Sequence, residues 1–570
     1  MINLDRDQLL FYDVEVFSHD AFVVFMDIDK NVKYFFHNTF ESIGDLVDKY
    51  TLVGFNNYHY DDAILTGMMA MWGPEQLREL NDKIIFGDKY RAKVHPSIKS
   101  LDMMQQLQRI GLKKIEGNMG KRILESGVSF DIDRPLTAQE LQESIEYCEY
   151  DVATTIDVFE LREKEYLLPK KQLLELVPPH KMTPYTYRWN TTTLSAHVLL
   201  DKPLQKWSGL RVPEEMFDVV PPEVRDMWFQ VNEIGAKVKK KETTITDFNN
   251  KITFGFGGLH GVHKRIKRIE KVKHLDVASM YPTIIENLGV LGGSTELYAG
   301  IKRDRIKIKK TDPLKSNAMK LILNSVYGLL NNQYSALHNP RATDTVCIYG
   351  QISLYDLCKR LSTVAEVINV NTDGVVFKPY SDDYIEIARQ WEKDYNMILE
   401  EDDIALFHQK DVNNLLEVDT RGHVTARGSD IGKWSRFSVF VNAATKIVDI
   451  AMVQYLAFGK DVIDTLLENV DKPELFQYIL QAGPTYVGVY DEAGVRYNKI
   501  NRIFATKQPL HPLLYKKRED GGLVRFADTP DKIMLWNEAC DELTDFADSV
   551  DLNFYYQLIT RKLQNWHTRG

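Results

Sequence analysis

The sequence predicts a mixed α/β and α+β chain of several domains, on three observations. Its 570 residues suffice for roughly three to five domains at about 100 to 200 residues each. Apolar, strand-like runs that carry carboxylates recur beside segments with helical spacing. Residues 272–289, VKHLDVASMYPTIIENLG, read as strand, tight turn and helix start, because an apolar run closing on Asp276 leads through small and polar residues to Pro282. There the N–H groups of the turn and the positive end of the helix face outward together, which suits a polyphosphate. Asp276 is placed to hold a metal beside it, although an Asp at a strand's end also serves as an ordinary helix cap.

Composition narrows the partners. A formal charge of -10 excludes a protein that coats nucleic acid with its whole surface, so local basic stretches carry the interest. Two stand out, residues 263–273 and 302–310, and each alone reads equally well as a solvated face. The four cysteines, Cys148, Cys347, Cys358 and Cys540, lack C-x-x-C spacing, so neither a disulfide scaffold nor a zinc site is expected and a reducing compartment fits. Asp5, Arg6 and Asp7 precede the first apolar run, and no segment approaches about 18 uncharged apolar residues. Residues 438–458 contain Lys446 and Asp449 and read as a buried amphipathic helix in a soluble, cytoplasmic protein. No internal repeat or low-complexity segment occurs.

In chain order, Leu9 to Phe17 is strand-like, and its period of two puts Asp13 and Glu15 on one face. Two carboxylates facing the same way call for a cation between them, unless the strand is an exposed edge. Asn57-Tyr-His-Tyr60-Asp61 follows an apolar strand at 51–55, with Asp62 expected only to start a helix. Tyr147 and Asp151 align at i, i+4. A proline-rich break at 176–184 closes the first domain. Further on, Phe254-Gly-Phe-Gly257-Gly258 reads as a glycine bulge that lets a ligand approach the backbone. Lys320, Asn324, Tyr327 and Gly328 form one helical stripe. Residues 367–378 are two apolar runs joined at Asp373-Gly374, a hairpin with Asp373 at its tip.

These motifs together resemble the family B DNA polymerases. Asp276-Val-Ala-Ser279-Met280-Tyr281-Pro282 is similar to motif A, D-x-x-S-L-Y-P, and Lys320-Leu-Ile-Leu-Asn324-Ser-Val-Tyr327-Gly328 matches motif B, K-x-x-x-N-S-x-Y-G. Asn371-Thr-Asp373-Gly374 resembles motif C, D-T-D-S, with Asn for the first acid and Gly for the serine. Asp13-x-Glu15, Asn57-x-x-Tyr60-Asp61 and Tyr147-x-x-x-Asp151 resemble the three motifs of the family's 3'-to-5' proofreading domain.

The resemblance implies an RNase H-like exonuclease domain followed by a right-hand polymerase. The implied segments are 1–190 for the exonuclease, 191–300 and 336–430 for the palm, 301–335 for the fingers and 431–570 for the thumb and C-terminal region. It implies two Mg2+ per active site, with Mn2+ as a substitute, held by Asp276 and Asp373 in one and by Asp13, Glu15, Asp61 and Asp151 in the other. Tyr147 orients the attacking water. Ser279, Met280, Tyr281, Lys320, Asn324, Tyr327 and Gly328, with Lys307 and Lys309, bind the incoming nucleotide, Tyr281 by excluding a 2'-OH and Gly328 by permitting close packing. Gly257, Gly258 and Lys410 contact DNA.

Asp13 lies near the start, so the extra N-terminal domain of many relatives is expected to be absent. Only 44 residues separate Asp276 from Lys320, and 53 separate Lys320 from Asp373, shorter than the same intervals in protein-primed relatives. The resemblance therefore implies a monomeric phage or mobile-element enzyme that extends a nucleic-acid primer on a template with dNTPs, helped by processivity or helicase and primase partners, without a membrane. A 3'-to-5' exonuclease with a decayed polymerase half, and a noncatalytic primer-template-binding module, are the alternatives.

Overall fold

The computed structural model describes residues 4–87, 91–107, 110–234, 242–434, 439–441 and 445–567. The fold is mixed α/β and divides into two compact units. One comprises Met1–Leu194, Ser438–Ala444 and Asp471–Asp551, and the other Ser195–Phe437, Thr445–Val470 and Leu552–Gly570.

The first unit is built on a five-stranded sheet of β1 (Leu9–Val16), β2 (Ala21–Met26), β3 (Val32–His37), β4 (Thr51–Gly54) and β5 (Ser100–Asp102), in the order β3-β2-β1-β4-β5. β1 runs antiparallel to β2 and parallel to β4. Every residue of β1 except Asp13 is buried, because both faces are covered. Leu9 and Phe11 join one apolar cluster with Phe159, and Leu10 and Tyr12 join another with Ile64 and Leu65. The carboxylates of β1 therefore lie on a central strand, not on an exposed edge. Burying each such aromatic or aliphatic side chain contributes about 1.5–3 kcal/mol, which offsets the cost of the carboxylates among them.

The helices that surround this sheet in the N-terminal part of the unit include α1 (Ile43–Lys49), α2 (Asp61–Met69), α3 (Pro74–Phe86), α4 (Leu112–Asn118), α5 (Ala138–Arg162) and α6 (Leu168–Leu176). α5 starts at a capping box written in the sequence as Thr137-Ala-Gln-Glu140: the Thr137 hydroxyl accepts from the Glu140 N–H, and the Glu140 carboxylate accepts from the Thr137 N–H at 2.8 Å. The ring of Phe159 on α5 meets Phe11 edge-on at 5.2 Å, seating the helix across β1.

The segment expected as thumb, 431–570, is divided between the two units. Residues 471–551 belong to the first unit for a local reason. Arg502 is fully buried there, and its guanidinium donates to the Gly117 and Lys121 carbonyls at 3.2 and 2.6 Å and to Gln477 Oε1 at 2.7 Å. It thus gives the Gly117 carbonyl, which already accepts from the Gly120 N–H at 3.0 Å, a second donor and holds the Lys121 carbonyl just past α4.

The second unit opens with the end of α7 (Thr191–Leu199) and with α8 (Pro222–Ile234). Its nine-stranded sheet contains β6 (Glu242–Asp247), β7 (Asn250–Gly255), β8 (Gly258–His263), β9 (Arg268–Val277), β10 (Ala365–Asn371), β11 (Gly374–Pro379), β12 (Leu399–Gln409), β13 (Leu415–Asp419) and β14 (Val424–Arg427). The order is β14-β13-β12-β9-β11-β10-β8-β7-β6, and β9 pairs antiparallel with both β11 and β12. α9 (Met280–Asn287), α10 (Thr295–Ile308), α11 (Pro313–Asn331) and α12 (Pro340–Leu361) complete the part that concerns the site. α12 is buried along nearly its whole length, where it packs on α9, β8 and β10.

The two ends of the first basic stretch are engaged within this sheet, while Lys264, Arg265, Arg268 and Lys271 between them are exposed. His263 pairs with Glu366 at 2.9 Å, and Lys273 with Glu401 and Asp403 at 2.7 Å each. Of the expected helix over 438–458, Lys446–Phe458 is helical, whereas Ser438 and 442–444 lie outside the described residues. Among the described residues no helix is long and apolar enough to cross a membrane.

Candidate metal centres

In the first unit, strand alternation turns Asp13 and Glu15 to the face that α5 covers, and α5 returns Tyr147, Cys148 and Asp151 to the same place. Ligand atoms of Asp13, Glu15 and Cys148 all lie within 4.8 Å of one another. Asp61, at the start of α2, lies close enough to hydrogen-bond Asp13. Asp151 is charge-coupled to Asp13 and Glu15, and the Tyr147 hydroxyl bonds to it.

Asp62 is separated from this group by its own bonds. Its oxygens accept from the Tyr12 hydroxyl, from Asn57 Nδ2 at 3.1 Å, from Ser100 Oγ at 2.7 Å and from Arg188 at 2.8 Å. It is thus a buried structural carboxylate tying β1, β5 and α2 together, more than the helix-start residue expected. Asp61 keeps its carboxylate toward Asp13.

The electrostatics follow from four buried carboxylates in one place. Burial, and then the Asp151 charge, pushes Asp13 up to about 7. Burial and the neighbouring carboxylates likewise hold Glu15 and Asp61 well above the usual range. Lys113, from α4, faces them: it pairs with Asp151, reaches Glu116 at 3.3 Å and sits 4.3 Å from the Tyr147 ring centre, and the Lys121 charge also acts on Asp151. Lys113, with Lys121 already paired to Asp157, cannot neutralise four carboxylates, so the rest must bind protons or divalent cations. An oxygen-rich donor set of this kind fits Mg2+ or Mn2+.

Lys113 and Glu116 escaped the sequence reading. Their i, i+3 spacing on a short helix is the one local signal, and it says nothing of Asp151, which is 38 residues further along.

In the second unit, Asp276 on β9 pairs in register with Gly374 on β11, so Asp373 at the hairpin tip sits beside it. The tip is tied on both sides: Val277 N–H donates to the Asp373 carbonyl and Thr372 N–H to the Leu259 carbonyl, both at 2.8 Å. Burial, then the Asp373 charge, pushes Asp276 up to about 6, and burial also raises Asp373. Two adjacent carboxylates, Asp276 partly buried and Asp373 at the exposed tip, again offer a hard-ion donor pair. Arg427 and His274 act on both from nearby, and Glu400, the β12 partner of Asp276, adds negative charge.

The departures in motif C have physical reasons. A Cβ on Gly374 would stand 2.6 Å from His274 Nε2 and 3.2 Å from Asp276 Oδ1, so serine does not fit while the imidazole is there. His274 is itself held by Glu417, 3.2 Å from its Nδ1. Asn371 donates to the Val412 carbonyl at 3.2 Å and accepts from the Thr372 hydroxyl at 3.2 Å, which commits its amide to holding the loop.

Around the pair, the residues at 279–282 follow the expected strand, turn and helix. Ser279 takes a left-handed φ of 51° and α9 begins at Met280. The Tyr281 and Tyr327 rings stack with centroids 4.4 Å apart at 14°, joining α9 to α11. Lys320, Asn324 and Gly328 line the exposed side of α11, with Lys307 and Lys309 exposed at the end of α10.

Three of the expected residues have surroundings that the sequence did not announce. A Cβ on Gly328 meets nothing within 4 Å, so the glycine does not serve packing within the chain. Gly258, at φ +131°, is required by Thr372, whose Oγ1 would lie 3.1 Å from a Cβ there, whereas Gly257 is open. Lys410 is engaged by Asp430 at 2.7 Å.

No family model matches the chain, and no curated protein does. Among solved structures, the chain is similar to the family B DNA polymerase from the hyperthermophilic archaeon Pyrobaculum calidifontis. The identity is 13%, over 98% of this chain and 78% of that one, with a TM-score of 0.44.

Proposed function

We propose that the chain is a DNA-directed DNA polymerase that extends a primer 3'-OH with dNTPs and degrades mispaired primer ends 3'-to-5'. The observation that carries this reading is the register of β9 against β11. It sets Asp276 and Asp373 side by side at the ends of tied strands, next to a left-handed turn, a helix start and the Tyr281–Tyr327 stack.

Asp276 and Asp373 are the residues to hold two Mg2+, which when bound activate the 3'-OH and stabilise charge on the departing pyrophosphate. Everything else falls to the chain's own side chains. The turn at Ser279 and Met280 presents backbone N–H groups to the triphosphate, and Lys320, with Lys307 and Lys309, neutralises it. Stacked on Tyr327, Tyr281 lies under the sugar and leaves no room for a 2'-OH. Asn324 and the bare Gly328 leave α11 open to the nascent base pair. Gly257, the Gly258 backbone and Lys410 line the course of primer-template DNA.

In the first unit Asp13, Glu15, Asp61 and Asp151 are the residues to hold metal for hydrolysis. Tyr147, a phenol kept protonated by burial and carboxylates, donates to the attacking water, and Lys113 neutralises Asp151 until the ions arrive. A cytoplasmic monomer of phage or mobile-element type, assisted by processivity, helicase or primase partners, is part of the proposal.

The test uses a 5'-labelled primer on a longer template with Mg2+. Extension with four dNTPs and shortening without them is expected. Shortening under both conditions would leave only the nuclease, and no change under either would point to a binding module.

A further inference from the structure

Cys148 lies on α5 three residues before Asp151, hence on the same face of the helix. It is fully buried, and its sulfur is 3.6 Å from the Asp13 carbonyl oxygen and 3.8 Å from Asp13 Oδ2. On one side it belongs to the apolar cluster of Phe11 and Val152, where a free cysteine behaves as a small hydrophobe. On the other it meets the carboxylates. Glu15 supplies the second observation. Its side chain is more than nine-tenths buried, its ligand oxygen lies within 4.8 Å of both the Cys148 sulfur and an Asp13 oxygen, and among the described residues no hydrogen bond or ion pair reaches it.

We propose that Cys148, Asp13 and Glu15 form a mixed thiolate and carboxylate site that takes a borderline-soft divalent ion of the Zn2+ and Co2+ class. This deepens the metal reading of the first unit and rests on it. The geometry agrees: bonds of about 2.3 Å to sulfur and about 2.1 Å to oxygen at a tetrahedral angle set the two donors about 3.6 Å apart. The observed separation is 3.8 Å. Hard ions such as Mg2+ ignore a thiol, whereas this class prefers one, so the sulfur changes which ion the same carboxylates retain. On binding, the S–H bond gives way to a sulfur–metal bond and the proton leaves to solvent. A Zn2+-class ion held this way competes with Mg2+ for Asp13. The Asp276–Asp373 pair, whose proposed ligands are oxygens alone, lacks the sulfur that gives this preference.

The test titrates the metal-free full chain with Co2+ and reads absorbance. An intense near-ultraviolet thiolate-to-cobalt band is expected in the wild type, lost in Cys148→Ser and kept in Cys358→Ser, whose sulfur is buried in α12. Zn2+ affinity should fall about 100-fold or more in Cys148→Ser, because losing a direct ligand exceeds the about 10- to 100-fold cost of outer-shell changes. Asp13→Asn, which keeps the thiol, should lose the band as well. Co2+ binding without the band, a band that survives in Asp13→Asn, or equal Zn2+ affinity in Cys148→Ser overturns the proposal. Primer degradation in Mg2+ is scored separately. Its absence beside an intact band retracts the nuclease reading and leaves the metal site, and its presence without the band does the reverse.

Discussion

At the scale of single residues, the sites are defined as much by what neighbours take away as by what they supply. Asp61 and Asp62 are adjacent carboxylates with opposite fates, because Tyr12, Asn57, Ser100 and Arg188 consume one and leave the other facing Asp13. Gly374 shows the same logic in the second unit, where His274 fills the space a side chain would need. Gly374→Ser should therefore destabilise the protein by about 1–3 kcal/mol through overpacking, and adding His274→Ala should remove most of that loss. A urea-denaturation double-mutant cycle measures the coupling; additive costs would show that the imidazole is not the obstacle. The carboxylates were legible in the sequence because D-x-E on an apolar strand and Asp at a strand's end are local patterns. Lys113, Arg427 and Glu417 were not, since each reaches its partners only through strand pairing or helix packing that brings distant segments together, whereas His274 stands two residues before Asp276 on β9, a local signal of the same period-two kind.

At the scale of elements, local rules were the more readable part. Period-two apolarity marked β1, the Asp-Gly turn marked the β10–β11 hairpin, and helical i, i+3 and i+4 spacing marked the exposed stripe of α11. α5 is the element on which the first site most depends, since it presents Tyr147, Cys148 and Asp151 together. Its capping box makes a direct prediction. Thr137→Ala should cost about 1 kcal/mol, seen as a lower urea midpoint of the first unit's transition, and an unchanged midpoint would mean that packing alone holds the helix start. The C-terminal region was the least legible. No periodicity in residues 471–551 announces that Arg502 will donate to the end of α4, because that bond links positions hundreds of residues apart and depends on a buried guanidinium that composition alone would place at the surface.

At the scale of the whole molecule, the chain carries two carboxylate sets, one in each compact unit, and each set contains its own mutual repulsion. The central claim is that these are two independent metal centres with different chemistry on the same primer. Asp373→Asn and Asp13→Ala, assayed on one 5'-labelled primer-template with Mg2+, test it most directly. The account predicts that Asp373→Asn abolishes extension and spares shortening, and that Asp13→Ala does the opposite. Loss of both activities in either variant would contradict it.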